Sequence, residues 1–380
     1  MKKVLVVLVF ISIIVACSSS DSSDDTPTPP TPTPPPSGTA FQRSAMLENW
    51  ADNIIIPSYQ DFSSSLSDLN DAFGNFTVSV DENNLLALRN AWLEAYLAWQ
   101  RVSMFEIGPA ETLDYRLNMN IYPVAVEKVE TNISAANTDL SLPSNRDAKG
   151  FPTLDYLING LGDTDAAIVA RFNSPAEGSD LLNYMESLIS DMVMLTDQVL
   201  QEWTGSFRTT FVQNDGSSAT ASVDRYVNDY ILYYERFLRA GKIGIPAGVF
   251  TSTIAPENLE AFYKGDISNQ LFLEGLDAVQ DFFNGIGFNS STNGVGLDDY
   301  LDDLEVIRDG QNLSDIINNQ FDTSRNVIAD LNSFQEELRN DPPVQLLLAY
   351  DEVQRIVPLL KVDMLSALDI NVDFQDADGD

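Results

Sequence analysis

The residues best placed to do chemistry in this sequence are carboxylates. Asp155 lies in the segment Lys149-Gly150-Phe151-Pro152-Thr153-Leu154-Asp155-Tyr156-Leu157-Ile158. A glycine followed two residues later by a proline predicts a turn into a helix, with Pro152 near the first helical position. Asp155 then falls in the first turn, where the helix dipole favours its charge. That structural role and a ligand-binding role are both open to it. Glu106, Glu111 and Asp114, with Arg101 and Arg116, follow an aromatic-rich segment and are candidate companions at one site. As an alternative they are ion pairs on a solvated loop. Tyr230, Tyr233, Tyr234, Glu235 and Arg236 form a second polar-aromatic cluster, suited to lining a pocket or to packing a bundle core.

The set of available groups is narrow. The 380 residues contain no histidine and one cysteine, Cys17. A Ser-His-Asp or Cys-His nucleophile system cannot be assembled, and neither can a His-based zinc site. Carboxylate, hydroxyl, tyrosine, lysine and arginine remain. Two carboxylates at the right separation would suffice for a glycosidase, but no feature selects such a pair. An all-oxygen site around Asp155 would suit Ca²⁺ or ferric iron rather than zinc. The run Asp376-Ala377-Asp378-Gly379-Asp380 resembles the start of a Ca²⁺ loop without its bidentate glutamate, and reads as an acidic tail.

The first residues read as a targeting segment. Lys2 and Lys3 precede an apolar run from Val4 to Val15, too short and wrongly flanked to span a membrane. Ile14-Val15-Ala16-Cys17 has the form of a bacterial lipobox. The expectation is a signal peptide over 1–16 and lipid on Cys17. The lipid would hold the protein at the cell envelope, in the outer membrane, on its periplasmic or surface face. Residues 17–38 are rich in Ser and Asp, then Thr and Pro, and predict an extended tether. Net charge is -36, or -38 once Lys2 and Lys3 are removed with the signal. Such a surface excludes nucleic acid and anionic lipid as partners. It favours cations only loosely, and solubility alone also accounts for it.

Residues 39–380 carry a helical period. Leu85, Leu88, Trp92, Tyr96, Trp99 and Phe105 mark one face of a helix over 83–105, with Arg89, Glu94 and Gln100 off that stripe. The aromatic stripe suits core packing, or in principle a flat ligand. Further helices are expected over 45–73 (kinked or interrupted at Pro57), 179–203, 223–240, 256–263, 268–283, 312–339 and 343–367, the last kinked at Pro358. Weak strand signals fall at 75–80, 207–211 and 370–374. The fold class is all-α: two packed helical bundles, lobes of about 39–240 and 256–380, joined through the Gly/Pro-rich stretch 241–255.

On these residues the chain resembles the imelysin-like proteins, the M75 peptidase family. Gly150, Pro152 and Asp155 align with that family's Gly-x-His-x-x-Glu motif. The stretch from Ala91-Trp92 through Glu106 resembles its Trp-containing helix. Gly241-Lys242-Ile243-Gly244-Ile245-Pro246-Ala247-Gly248 and the ending from Leu360 resemble lipoprotein members of the Bacteroidetes lineage. The resemblance implies an all-α fold of two bundles with the motif near their interface, and an iron-associated binding or transport role at the envelope. Peptidase activity is attributed to some members. Here the motif histidine is Pro152, which has neither a side-chain ligand nor an N–H, and the glutamate is the shorter Asp155. The reading is a non-catalytic binding protein for a metal ion or small ligand. A peptidase or other carboxylate-based hydrolase, and a surface adhesion or scaffold module, are the alternatives.

Overall fold

The computed structural model describes residues 41–290 and 293–374. The signal segment, Cys17, the tether and the acidic run 376–380 lie outside them. The fold is all-α, and among the described residues the only strands are Ile307–Arg308 and Gln311–Asn312.

The first helical run covers 43–78: Arg43–Asn49, a wide π turn at Trp50–Ile55, then Ile56–Val78. Pro57, where a kink or interruption is expected, does not break the run. Proline lacks the N–H that would bond to the carbonyl four residues back, and its ring crowds that carbonyl. The π turn widens the helix just upstream, and the Asn53 carbonyl accepts instead from the Phe288 N–H at 2.7 Å. The helix Glu82–Val102 is capped by Asp81, whose carboxylate accepts from the Asn84 N–H at 3.0 Å. It folds back on Ile56–Val78, which also packs against Gly178–Glu202. Leu85, Leu88, Trp92, Tyr96 and Trp99 are all buried. Their spacing is therefore that of a core stripe, and protein rings fill the space beside them: Phe151 stacks on Tyr96 at 4.3 Å.

The helix Ser222–Leu232 continues as a wide helix over Tyr233–Gly244. Ser268–Phe283 packs against both Glu82–Val102 and Leu313–Ala329, so it ties the early helices to the late ones. The expected helix over 256–263 is a single 3₁₀ turn, Pro256–Asn258, followed by irregular chain. That over 312–339 ends at Ala329, and a new turn, Phe334–Glu337, starts from the Ser333 cap. The last runs Val344–Gln354, Ile356–Pro358, a wide turn Leu359–Met364 and Leu365–Leu368. None of the three weak strand signals forms a strand: 75–78 completes a helix, 207–211 is helical and 370–374 is irregular. The hairpin that does form turns at Asp309 (φ 53°) and Gly310 (φ 82°). Asp-Gly is a two-residue turn sequence of this geometry. No described helix is long and apolar enough to cross a membrane.

Candidate functional site

The motif segment is fixed by its glycine. Gly150 has φ 72°, and a Cβ there would lie 2.0 Å from the Met119 carbonyl oxygen. Both the backbone angle and the close approach exclude a side chain. Phe151 then turns inward onto Tyr96, and the Trp92 indole N–H reaches the Phe151 carbonyl at 3.4 Å. Pro152 is the third residue of the helix Gly150–Asp155, inside the first turn where no backbone N–H is required. Asp155 is the last residue of that helix, followed by the wide turn Tyr156–Gly160. It is therefore beyond the first turn, and the dipole role expected for it does not apply.

Asp155 is 1% exposed. One carboxylate oxygen accepts from the Asn159 amide at 3.0 Å and the other from the Tyr263 backbone N–H at 2.8 Å. Burial raises its pKa to about 7, against these hydrogen bonds and the charge of Lys264. The carboxyl faces a cavity of about 80 Å³. Pro152 and Asp155 form one wall. Tyr122, Pro123 and Val124 form another, and the strap 256–263 closes it with Leu259, Ala261, Phe262 and Tyr263. Glu257, exposed, stands at the mouth.

Behind the strap lies a polar network that sequence reasoning missed. Leu259 and Ala261 line the cavity, while Glu260 between them points the other way and is 1% exposed. Its carboxylate accepts from Asn120 at 2.7 Å and Gln100 at 3.2 Å, and pairs with the Lys242 ammonium. Lys242 also donates to the Gln100 oxygen at 2.8 Å, and Tyr96 donates to Asn120 at 2.7 Å. Burial pulls the Lys242 pKa down, against the pull of Glu260. Gln100 lies off the aromatic stripe, yet it is buried because Ser268–Phe283 and the strap cover that side of its helix. The available signal was Lys242 alone among the apolar residues of 241–248.

The Glu106 carboxylate accepts the Arg116 backbone N–H at 2.9 Å, and the Glu106 N–H donates to Asp229 at 2.9 Å. The Arg116 guanidinium reaches Asp229 at 3.2 Å and the Ser103 carbonyl at 2.6 Å, and lies over the Phe237 ring at 4.5 Å. Burial lifts the Glu106 pKa to about 7, with Arg116 opposing. Arg101 is bound to Glu274 and, at 3.2 Å, to Asp281. Asp114 pairs with Arg146 at the surface, and Glu111 with Arg225 at 2.7 Å. Glu106 and Arg116 thus share one cluster, with Asp229; Asp155, Arg101 and Asp114 each have other partners. The tyrosine cluster is core: Tyr230 and Tyr234 donate to the carbonyls of Val279 (3.1 Å) and Val353 (2.7 Å), and Tyr233 accepts from Ser103 (2.8 Å).

A metal ion is a poor fit to the cavity. Ca²⁺ and ferric iron call for several oxygen ligands. The lining carboxylates are Asp155 inside and Glu257 at the mouth, amid rings and prolines. Among the described residues no group of three or more acidic or thiol side chains could hold a metal ion, and the sequence has no imidazole.

Fold and site together define an all-helical protein with a buried carboxylate facing a small cavity under an irregular strap. The chain belongs to the imelysin family (peptidase M75), which matches over residues 55–359. It is 23% identical over 152 residues to iron-regulated protein A of Synechococcus elongatus, a match spanning 40% of this chain and 41% of that protein. Among solved structures it is similar to an imelysin-like protein from Psychrobacter arcticum 273-4 (TM-score 0.68, 18% identity, 88% of this chain and 97% of that one). It is also similar to a structure from Parabacteroides distasonis ATCC 8503, provisionally described as an iron-regulated protein A precursor (TM-score 0.69, 16% identity, 86% and 97%).

Proposed function

We propose that the protein is a non-catalytic binding protein of the bacterial envelope, lipid-anchored at Cys17, that takes a small ligand into the Asp155 cavity in the service of iron or nutrient uptake. The observation that carries this reading is Pro152. It occupies the position of the motif imidazole beside the buried carboxyl of Asp155, so the site keeps a recess but has lost the imidazole that would serve there as base or metal ligand. The sequence Ile14-Val15-Ala16-Cys17 supports the anchor. The iron setting draws on the names of the relatives. A scaffold module would need no recess at this point, and the cavity favours ligand binding over it.

A thermal-shift screen of the full-length protein tests the reading, using ferric iron, haem, Ca²⁺ and small organic cations, anions and sugars at micromolar to millimolar concentration. At least one compound is expected to raise the melting temperature of the wild type and not of Asp155→Asn. A flat response across the panel, or shifts indifferent to the substitution, would contradict it.

A further inference from the structure

The Asp155 cavity has carboxyl groups in its lining and no cation of its own. Its acids are Asp155 within and Glu257 at the mouth, and no lysine or arginine lines it. The nearby lysines are engaged elsewhere. Lys242 is bound to Glu260 and Gln100 behind the strap, and Lys264 pairs with Asp266 at 2.9 Å. A buried carboxylate in this position takes up either a proton or a cation from outside.

The walls narrow the choice of cation. Tyr122, Phe262 and Tyr263 contribute aromatic rings, and Pro123 and Pro152 contribute apolar ones. Aromatic faces attract a weakly hydrated organic cation through the ring quadrupole. They do not replace the oxygen shell of a hard metal ion. Pyrrolidine and ring faces also suit methyl groups better than the three N–H donors of a primary ammonium, which need acceptors. The cavity, at about 80 Å³, is small beside the roughly 300–1,000 Å³ of pockets that enclose a whole small ligand. That is space for a head group, not for a whole haem or sugar.

Building on the reading of this recess as a binding site, we propose that it receives the methylated ammonium head of a small organic cation. The charged head sits against Asp155 and the rings of Tyr122, Phe262 and Tyr263, and the remainder of the ligand leaves past Glu257. Binding displaces the proton that burial keeps on Asp155 near neutral pH. Besides Glu257 at the mouth, the groups around this carboxyl are Lys264, whose charge favours its ionised form, and the phenols of Tyr263 and Tyr96, which burial holds in their neutral state. Affinity should therefore rise from pH 6 to pH 8.

Calorimetric titration of the full-length protein in 0.15 M salt tests this, with tetramethylammonium, choline and methylammonium as probes and 3,3-dimethylbutanol as the uncharged analogue of choline. Choline and tetramethylammonium are expected to bind more tightly than methylammonium, and the neutral analogue not at all. Asp155→Asn should weaken binding by about tenfold or more, as loss of one partner of a buried charge pair does. Phe262→Leu, a rim substitution on a half-exposed ring, should weaken it several-fold while leaving the circular dichroism unchanged. Equal binding of choline and its neutral analogue would overturn the proposal. So would cation binding indifferent to both substitutions, which would mark attraction to the acidic surface as a whole. If no ammonium compound binds but another compound stabilises the protein through Asp155, the ammonium assignment fails and the binding reading stands. If nothing acts through Asp155, both fail.

Discussion

At the scale of single residues, Asp155 is the group on which the chemistry of the recess depends. It is a carboxyl 1% exposed, held by one amide and one backbone N–H, with its pKa raised to about 7. In the unfolded chain it titrates near 3.9. The folded protein therefore binds the extra proton between about pH 4 and pH 7. The stability linked to that proton is complete below the unfolded pKa and is lost as pH rises through about 7. Glu106, also raised to about 7, acts in the same direction. Urea denaturation should show the wild type losing stability from pH 5 to pH 8, with up to about 3 kcal/mol from Asp155 alone. Asp155→Asn should remove that share of the slope and be more stable than wild type at pH 8, since Asn159 can turn its amide to meet the new one. A slope unchanged in the variant would show that Asp155 is not buried in its charged form. The sequence singled out Gly150, Pro152 and Asp155 by motif alignment, and the structure gives the glycine its reason: the Met119 carbonyl occupies the space of a Cβ. It did not reveal that Asp155 lies beyond the first helical turn, because that depends on where the helix starts.

At the scale of elements, the strap 256–263 makes the cavity. It is held on one side by the Tyr263 N–H on Asp155 and on the other by Glu260 in the network of Lys242, Gln100 and Asn120. Lys242→Met would leave Glu260 buried without its cation, a change that costs about 3–5 kcal/mol. The double variant Lys242→Met/Glu260→Gln should recover most of the loss, as read from denaturation midpoints. A single variant within about 1 kcal/mol of wild type would mean that the pair is solvated and the strap loose. Long periodic helices were legible in the sequence: 268–283 is matched at both ends, and 83–105 within three residues. The strap was not, since 256–263 carries helix-like residues whose conformation is set by burial of Leu259, Glu260 and Ala261 against other elements. The continuity through Pro57 was equally invisible, because the carbonyl it frees is satisfied by Phe288, more than two hundred residues away. The Asp309-Gly310 hairpin, by contrast, had a local signal that the helical pattern around it obscured.

At the scale of the whole molecule, an all-α imelysin fold is retained while the sequence has no histidine. The net charge of -36 concentrates cations around the protein without regard to site. The buried recess beside Pro152 is where selectivity would arise. The central claim is that this recess binds and does not catalyse. Its most direct test is hydrolysis of a peptide library by the full-length protein from pH 5 to pH 9, with wild type and Asp155→Asn side by side. No turnover above the buffer rate is expected for either. Turnover by the wild type that is lost in Asp155→Asn would overturn that claim.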